Sequence, residues 1–170
     1  MSIKGMVYVF TGDGKGKTSA ALGIVVRALS HGMKAGWVGW YKKRPSSPPA
    51  GGLKGLEMHF MGEGFYKLPT DKVTPKKHRQ AAAAGLKQAE KLIKKIDVLV
   101  LDEVNNAIKD KLVKEKQILE LLEKRGKTHV ILTGRGASRS VLEGADLVTE
   151  CKKIKHPFDK GKKAVKGLDY

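Results

Sequence analysis

The sequence predicts an α/β fold in which helices cover both faces of a mostly parallel β-sheet. Three observations predict it. Short runs of apolar and β-branched residues alternate along the 170-residue chain with segments whose apolar residues recur at helical spacing. The apolar runs are nearly continuous, as in parallel strands that are buried on both faces. Several runs end in glycine-rich or acidic residues, and ligands of such sheets bind at the carboxyl ends of the strands.

The elements of the N-terminal half are the easiest to justify. The first strand is MVYVFT at 6–11, which is rich in β-branched and aromatic residues. The helix after it runs from Lys17 to about Ser30, because His31-Gly32 is suited to end it. Three further segments are a strand at 35–41, a loop over the proline-rich stretch 42–52 and a short strand at 56–60.

The remaining elements repeat the same alternation. They are a helix at 74–96, a strand at 97–103, a helix at 110–125, a strand at 128–134, a short helix at 138–145 and an edge strand at 146–151. Pro75 is suited to the first turn of the longest helix. Residues from about 152 to 170 are predicted to form an extended basic tail. We expect residues 1–170 to form one domain, because a chain of this length builds a sizeable core.

The chain carries an excess of positive charge. It has 34 Lys and Arg against 17 Asp and Glu, a formal net charge of +17. Such a field attracts polyanions, so nucleic acid is one partner to consider. The basic residues are scattered, however, and aromatic residues do not interleave with them as base stacking requires. The charge therefore favours a phosphate-rich small ligand over nucleic acid.

Other features bear on the location of the protein. The longest apolar runs, such as IDVLVL, are too short to cross a bilayer. The single cysteine, Cys151, cannot form an internal disulfide. The few residues before the first strand leave no room for a signal or transit peptide. We expect a cytoplasmic protein with no membrane partner.

The segment FTGDGKGKTSAALG, residues 10–23, joins the first strand to the first helix. A strand, a glycine-rich turn and Gly-Lys-Thr at a helix start form a phosphate cradle, in which backbone N–H groups and the lysine face the phosphates. The first glycine comes one residue late, because Thr11 stands where the usual spacing has glycine. The alternative is a turn without a ligand. The predicted ATP-binding residues are Gly12, Asp13, Gly14, Lys15, Gly16, Lys17, Thr18 and Ser19.

A second motif, VLVLDE, ends the strand at 97–103. Proteins with such a loop hold Mg²⁺ with an acidic residue at the end of a buried strand and with the hydroxyl after the loop lysine. We therefore expect Thr18, Asp102 and Glu103 to bind Mg²⁺ or Mn²⁺. The alternative is that Asp102 only caps the next helix. The two motifs together predict a P-loop NTPase of RecA-like architecture.

Five segments of the chain resemble one known family. TGDGKGKTSAALG is similar to the loop TGNGKGKTTAA of the corrinoid adenosyltransferases of the bacterial cobalamin-salvage type. The similarity continues through VRALSHG, VLDE and VILTGRGASRSVLEGADLVTE. The tail KHPFDKGKKAVKGLDY matches the family's ending almost residue by residue. The resemblance spans residues 7–170 and is weakest between 42 and 80.

The resemblance implies a reaction: the 5′-deoxyadenosyl group of ATP passes to the cobalt(I) of a reduced corrinoid, and triphosphate is released. It implies that the triphosphate lies in the loop in the reverse sense to hydrolases, which gives the loop a reason to differ in spacing. Cobalt(I) is the nucleophile, so no nucleophilic side chain is needed. Lys15 and Lys17 supply charge for the leaving group. A homodimer and a flavoprotein reductase partner are also implied.

Other residues are assigned through the same resemblance. Arg135 and Arg139 are candidates for holding phosphate or corrinoid side chains; the alternative is surface arginines near a turn. GEGFYK at 62–67 matches a family segment in which a phenylalanine and a tryptophan crowd the lower face of the corrinoid. Phe65 corresponds to the phenylalanine, so we predict that it acts as a wedge at the lower face of the corrinoid. Lys67 stands in place of the tryptophan.

Two further departures from the family are expected to matter. Asp13 stands where the family commonly has asparagine, which places a negative charge beside the phosphates. The sequence also begins close to the first strand, without the family's N-terminal extension, so we expect looser closure of the site or closure by a partner subunit. Two other functions remain open at this point: an ATPase that acts on nucleic acid, and a protein that binds corrinoid and nucleotide without turnover.

Overall fold

The computed structural model describes residues 4–42, 53–165 and 167–168. Its strands are β1 (Val7–Thr11), β2 (Ala35–Gly39), β3 (Leu56–Phe60), β4 (Val98–Asp102), β5 (His129–Thr133) and β6 (Leu147–Glu150). Its α-helices are α1 (Lys17–Ser30), α2 (Pro75–Leu92), α3 (Val104–Lys109), α4 (Glu115–Glu123) and α5 (Arg139–Glu143). The predicted α/β class is confirmed.

The six strands form one sheet in the order β3-β2-β4-β5-β1-β6. Every neighbouring pair is parallel, so the carboxyl ends of all six strands lie along one edge. β5 separates β1 from β4 and pairs with both, which is the RecA-like arrangement. The turn after β1 and the acidic end of β4 therefore reach the same edge, one strand apart.

Side chains that alternate along the strands build two cores. Phe10, Trp37 and Val100 face α1, against its buried Ala21 and Val25. The residues next to these along each strand, such as Val9, Val38 and Leu101, point to the other face of the sheet and pack with α2, α3, α4 and α5. Gly85 of α2 lies against Trp40, where an added Cβ would approach the indole to 3.1 Å. Helices thus cover both faces of the sheet, as predicted.

Two predicted helix boundaries are wrong. The helix expected at 74–96 ends at Leu92. The Thr128 hydroxyl lies 2.7 Å from the carbonyl oxygen of Ile93 and 2.8 Å from that of Ile96. It thus provides a hydrogen-bond donor for the carbonyl groups just after the end of the helix. The helix expected at 110–125 is shorter, and a separate helix that was not predicted precedes it. α3 begins directly after β4, α4 spans only Glu115–Glu123, and Lys111 between them has a left-handed φ of 56°.

The C-terminal tail is not wholly extended. A 3₁₀ helix covers Pro157–Lys160, and the His156 side chain accepts a hydrogen bond from Phe158 N at its start. Large apolar side chains of the tail are exposed, among them Ile154, Phe158 and Leu168. Most of the predicted loop 42–52 lies outside the described residues. Among the residues that the structure does describe, no helix is both long and apolar enough to span a membrane.

Candidate functional site

The turn after β1 has the form of a phosphate-binding loop. It runs from Gly12 to Gly16 and delivers the chain into α1 at Lys17. Gly12 and Gly16 have φ angles of 92° and 117°, in the region that favours glycine. Gly16 is the N-cap of α1, so the positive end of a 14-residue helix points to the loop. Backbone N–H groups and a helix terminus thus converge where a phosphate would bind.

The late glycine of this loop has a structural cause. β1 continues through Thr11, which pairs with Glu150 of β6, and Cys151 N donates to Thr11 O at 2.8 Å. The turn therefore starts at Gly12, whose added Cβ would lie 2.6 Å from Cys151 O. Gly14 is equally confined, because its Cβ would lie 2.6 Å from Lys152 O. Its own N–H donates to Cys151 O at 2.6 Å. The segment after β6 is thus one wall of the loop, and only glycine fits against it.

Lys17 lies inside the loop and is only 8% exposed. Its Nζ donates to Gly12 O at 2.8 Å and to Gly14 O at 2.6 Å. Burial, and secondarily the charge of Arg135, lowers the pKa of Lys17 below its usual range. A phosphate would relieve both effects, because it offers the ammonium an anionic partner in place of neutral carbonyls.

Asp102 is the centre of a hydroxyl cluster and is only 1% exposed. Its Oδ1 accepts hydrogen bonds from Thr18 Oγ1 at 3.0 Å and from Thr133 Oγ1 at 2.7 Å. Lys42 Nζ lies 3.9 Å from its Oδ2. The carboxylate does not cap α3, because the N-cap of that helix is Glu103 and no side-chain cap bond forms there. The structure therefore joins Thr18 and Asp102, as the magnesium assignment requires.

Glu103 follows Asp102 at the same edge of the sheet. Its backbone is left-handed, with φ 63°, and its N–H donates to Thr133 Oγ1 at 2.9 Å. Burial raises the pKa of the Glu103 carboxyl, and the negative charge of Asp102 adds to the rise. Lys42 and Lys17 oppose it. A cation at this edge would lower that pKa, since it stabilises the carboxylate.

The two predicted arginines lie in different surroundings. Arg135, in the turn after β5, donates from Nη2 to Asp13 O at 3.3 Å, and its backbone N–H donates to Asn106 Oδ1 at 2.8 Å. It therefore lies beside the phosphate loop. Arg139 Nε donates to Glu143 Oε1 at 2.6 Å on the outer surface of α5, and its side chain is 90% exposed. The structure brings Arg135 to the loop, whereas it engages Arg139 with a neighbour on its own helix.

The other predicted ATP-binding residues lie on the outside of the loop. Asp13, Lys15 and Ser19 are exposed. The Asp13 carbonyl accepts from Arg135, whereas its side chain faces solvent.

Phe65 lies in the segment after β3, at the same edge of the sheet as the phosphate loop. Its ring centroid is 5.8 Å from that of Tyr41, with the planes tilted by 34°. Tyr41 is 4% exposed and Phe65 is 56% exposed. One face of the Phe65 ring is therefore exposed to solvent, while the ring packs on the buried side chain of Tyr41.

Lys67 has a left-handed backbone, with φ 60°. Its Nζ lies 5.0 Å from the centroid of the Tyr66 ring, and its N–H donates to Asp71 Oδ2 at 3.0 Å. The Tyr66 ring meets the buried His78 of α2 edge-on at 5.0 Å, and His78 Nε2 lies 3.1 Å from Asp71 Oδ2. Hydrogen bonds from the backbone, first that of Val73, hold the pKa of Asp71 below its usual range. These contacts fix the segment to α2.

The comparisons with known proteins agree with this geometry. The family profile described as ATP:corrinoid adenosyltransferase BtuR/CobO/CobP matches residues 3–170. The chain belongs to this family. A corrinoid adenosyltransferase of Pseudomonas aeruginosa is 38% identical over 98% of this chain and 84% of its own length. Those of Escherichia coli K12 and Salmonella typhimurium are each 37% identical over 98% of this chain and 86% of theirs.

One solved structure, titled as a DNA replication initiation factor, is 15% identical, with a TM-score of 0.47 over 88% of this chain and 40% of that one. That likeness is too low to support an inference about this adenosyltransferase family member.

The oxygen donors at the end of β4 fit a magnesium ion. Mg²⁺ prefers oxygen ligands and commonly uses one or two carboxylates together with substrate phosphates. Thr18 Oγ1 and Asp102 Oδ1 already lie 3.0 Å apart, and Glu103 is adjacent in sequence. Over the ranges that the structure covers, no group of three or more His, Cys, Asp or Glu side chains is placed to hold a metal without other ligands.

Sequence reasoning missed several residues of this site. Thr133 bonds both Asp102 and Glu103, and its position at the end of a buried strand, before Gly134, is a signal that could have identified it. Asn106, Tyr41 and the Cys151–Lys152 wall depend on segments that are distant in sequence. Their contacts follow from the strand order, which local patterns do not reveal.

Proposed function

We propose that this chain transfers the 5′-deoxyadenosyl group of ATP to the cobalt(I) of a reduced corrinoid and releases triphosphate. The observation that carries the proposal is the agreement of the family match with the geometry of the site. The chain matches the adenosyltransferase family over residues 3–170, and a phosphate loop joins Lys17, Thr18 and Asp102 at one edge of its sheet. The reaction belongs to the biosynthesis or salvage of adenosylcobalamin.

The protein's task in this reaction is to hold the leaving group. The cobalt(I) electron pair attacks the ribose C5′, the C5′–O bond breaks, and triphosphate leaves with the bonding electrons. Lys17 exchanges its two loop carbonyls for triphosphate oxygens, and Arg135 beside Asp13 adds a second charge. Gly12 to Ser19 form the cradle, with Lys15 at its outer side. Arg139 reaches phosphate or corrinoid only if it leaves Glu143.

Thr18, Asp102 and Glu103 would hold Mg²⁺ or Mn²⁺. When bound, the ion neutralises charge on the triphosphate oxygens. Thr133 orients the Asp102 carboxylate by its 2.7 Å hydrogen bond, so the acid presents its other oxygen toward Lys42.

Phe65 serves on the corrinoid side of the site. Reduction of cobalt(II) is difficult while a lower ligand donates to the metal, and an apolar ring in that ligand's place excludes it. Phe65 is 56% exposed and packs on the buried ring of Tyr41, so its free face is accessible to a bound corrinoid. We also propose a single domain over 1–170, a homodimer, a flavoprotein reductase as electron donor and a cytoplasmic location, in line with the expectations from the sequence.

The test of the reaction is to identify its products. The chain is incubated with ATP, Mg²⁺ and pre-reduced corrinoid, and nucleotide products are separated by ion exchange while the corrinoid is followed by its visible spectrum. We expect adenosylcorrinoid and triphosphate in equal amounts, and much slower formation of both with Lys17→Ala. ADP and phosphate, formed faster when polynucleotide is added, would identify a nucleic-acid ATPase instead. Binding of both ligands without products would identify a non-catalytic protein.

The role of Phe65 is tested by comparing two starting states of cobalt. Phe65→Ala should slow adenosylation from cobalt(II) at a fixed reductant concentration and largely spare the reaction from cobalt(I). Leu68→Ala is a matched control, because Leu68 is also an exposed apolar residue of this segment, at 49%. Equal slowing from both states would indicate a packing role and would contradict the wedge.

A further inference from the structure

Tyr41 links the two halves of the candidate site. It follows β2, at the carboxyl edge of the sheet, and is 4% exposed. Its ring supports Phe65 at 5.8 Å between centroids, and its hydroxyl donates to Asp110 Oδ2. Asp110 is the C-cap of α3, the helix that begins immediately after Glu103. One buried side chain therefore contacts the corrinoid side of the site and an element fixed to its acidic end.

The backbone around Tyr41 holds the Phe65 segment as well. Gly64 N donates to Tyr41 O at 3.0 Å, and Gly62 N donates to Lys42 O at 3.1 Å. A Cβ at Gly62 would lie 2.3 Å from the Tyr41 carbonyl carbon, so the two segments are in direct contact. The chain before Phe65 thus cannot shift unless Tyr41 shifts.

The hydroxyl of Tyr41 is held in the form that can donate. Burial, and then its hydrogen bond to Asp110, raises the pKa of Tyr41 far above its usual range. It therefore stays protonated at any pH at which the protein works. A charged acceptor makes this bond stronger than one between neutral groups. The hydrogen bond anchors the far end of the side chain, and with it the position of the ring, to the C-terminal end of α3.

We propose that Tyr41 is the positioning residue for Phe65: its hydrogen bond to Asp110 fixes the ring on which the wedge rests and ties it to the acidic end of β4. This inference rests on the proposed wedge function of Phe65. A side chain of similar size without the hydroxyl would keep the packing of the ring and lose its anchor to Asp110. Tyr41 contacts no substrate in this scheme and acts only through Phe65.

The test measures one ratio, kcat/KM for adenosylation started from cobalt(II) divided by that started from cobalt(I). Tyr41→Phe and Asp110→Ala should each lower the ratio about ten- to 150-fold, as loss of a hydrogen bond to a charged group predicts. The double variant should be no worse than the more affected single one, because both remove the same bond. Asp110→Asn keeps an acceptor oxygen and should recover most of the ratio.

Tyr66→Phe is the matched control, since it removes a hydroxyl from the residue next to Phe65 and keeps the ring that contacts His78 and Lys67. Its ratio should equal that of the unmodified chain. The visible spectrum of bound cobalt(II) corrinoid gives a readout without turnover: Tyr41→Phe should increase the fraction that keeps its lower ligand. Dissociation constants for ATP should be unchanged throughout.

The outcomes separate this inference from the function on which it rests. If Phe65→Ala lowers the ratio but Tyr41→Phe and Asp110→Ala leave it unchanged, Tyr41 does not position the wedge. If Tyr41→Phe slows both reactions equally, its role is general packing and the inference is overturned. If Phe65→Ala itself leaves the ratio unchanged, the proposed wedge function of Phe65 is contradicted, and the positioning role of Tyr41 is overturned with it.

Discussion

Gly14→Ala is the sharpest test of how the phosphate loop is built. The new Cβ would lie 2.6 Å from Lys152 O and 2.7 Å from Cys151 O, both of them backbone atoms that no rotamer change can move. Overpacking of this kind costs about 1–3 kcal/mol. Loss of the 2.6 Å bond from Gly14 N to Cys151 O adds about 0.5–1.5 kcal/mol. The free energy of unfolding should therefore fall by about 1.5–4.5 kcal/mol.

The assay for this change is thermal unfolding, together with ATP binding by calorimetry. For a chain of this length the loss corresponds to a Tm lower by about 3–18 °C, and ATP should bind about tenfold more weakly. Gly23→Ala is the control, because Gly23 lies in the middle of α1 and its Cβ would meet nothing within 4 Å. That variant should gain about 0.5–1 kcal/mol, the usual effect in a helix interior. A Gly14→Ala protein with unchanged Tm and ATP affinity would refute the packing of the loop against Cys151 and Lys152.

Three other predictions concern the charged groups of the site. Lys17→Ala should lower kcat/KM for ATP about ten- to 150-fold, the loss of one charge-assisted bond, while circular dichroism shows an intact fold; near-normal turnover would remove Lys17 from the mechanism. Chelation should abolish adenosylation, and Asp102→Asn should raise the Mg²⁺ concentration for half-maximal rate at least several-fold; activity indifferent to chelator would contradict the metal site. Because burial raises the pKa of Glu103, the folded state keeps that proton to higher pH than the unfolded chain. The free energy of unfolding therefore falls as the pH rises from the pKa of the unfolded chain through that of the folded state. Glu103→Gln should therefore raise Tm in neutral or mildly alkaline buffer but not in acid, and an equal change at both would show that the carboxyl is not destabilising.

The sequence predicted the parts of this molecule that are governed by local chemistry. The buried strands could be located because parallel strands covered on both faces are apolar throughout, and the phosphate loop because glycine, lysine and threonine have fixed tasks there. Both elements depend on short stretches of chain. α3 was missed because VNNAIK is only six residues long, with two asparagines, and its stability comes from Val104 and Ala107 in the core.

Contacts between distant segments could not be predicted in the same way. The late glycine depends on Cys151 and Lys152, which lie against the loop, and nothing near residue 12 in the sequence reveals this segment after β6 as a neighbour. The end of α2 at Leu92 depends likewise on Thr128, and the support of Phe65 depends on Asp110 through Tyr41. In each case one polar group satisfies another that lies far along the chain.

The segment after β6, which forms one wall of the phosphate loop, sets the time at which this protein first becomes able to hold nucleotide. Val7 N donates to Asp146 Oδ2 at 2.7 Å across a separation of 139 residues. Further along, Cys151 N donates to Thr11 O and Cys151 O accepts from Gly14 N. Synthesis proceeds at about 5–20 residues per second, so roughly 7–28 seconds pass between translation of the loop and of its wall. During that interval the nascent chain carries a glycine-rich loop with no surface to shape it. A polypeptide released before β6 is made would keep every residue of the phosphate-binding motif and still lack the site.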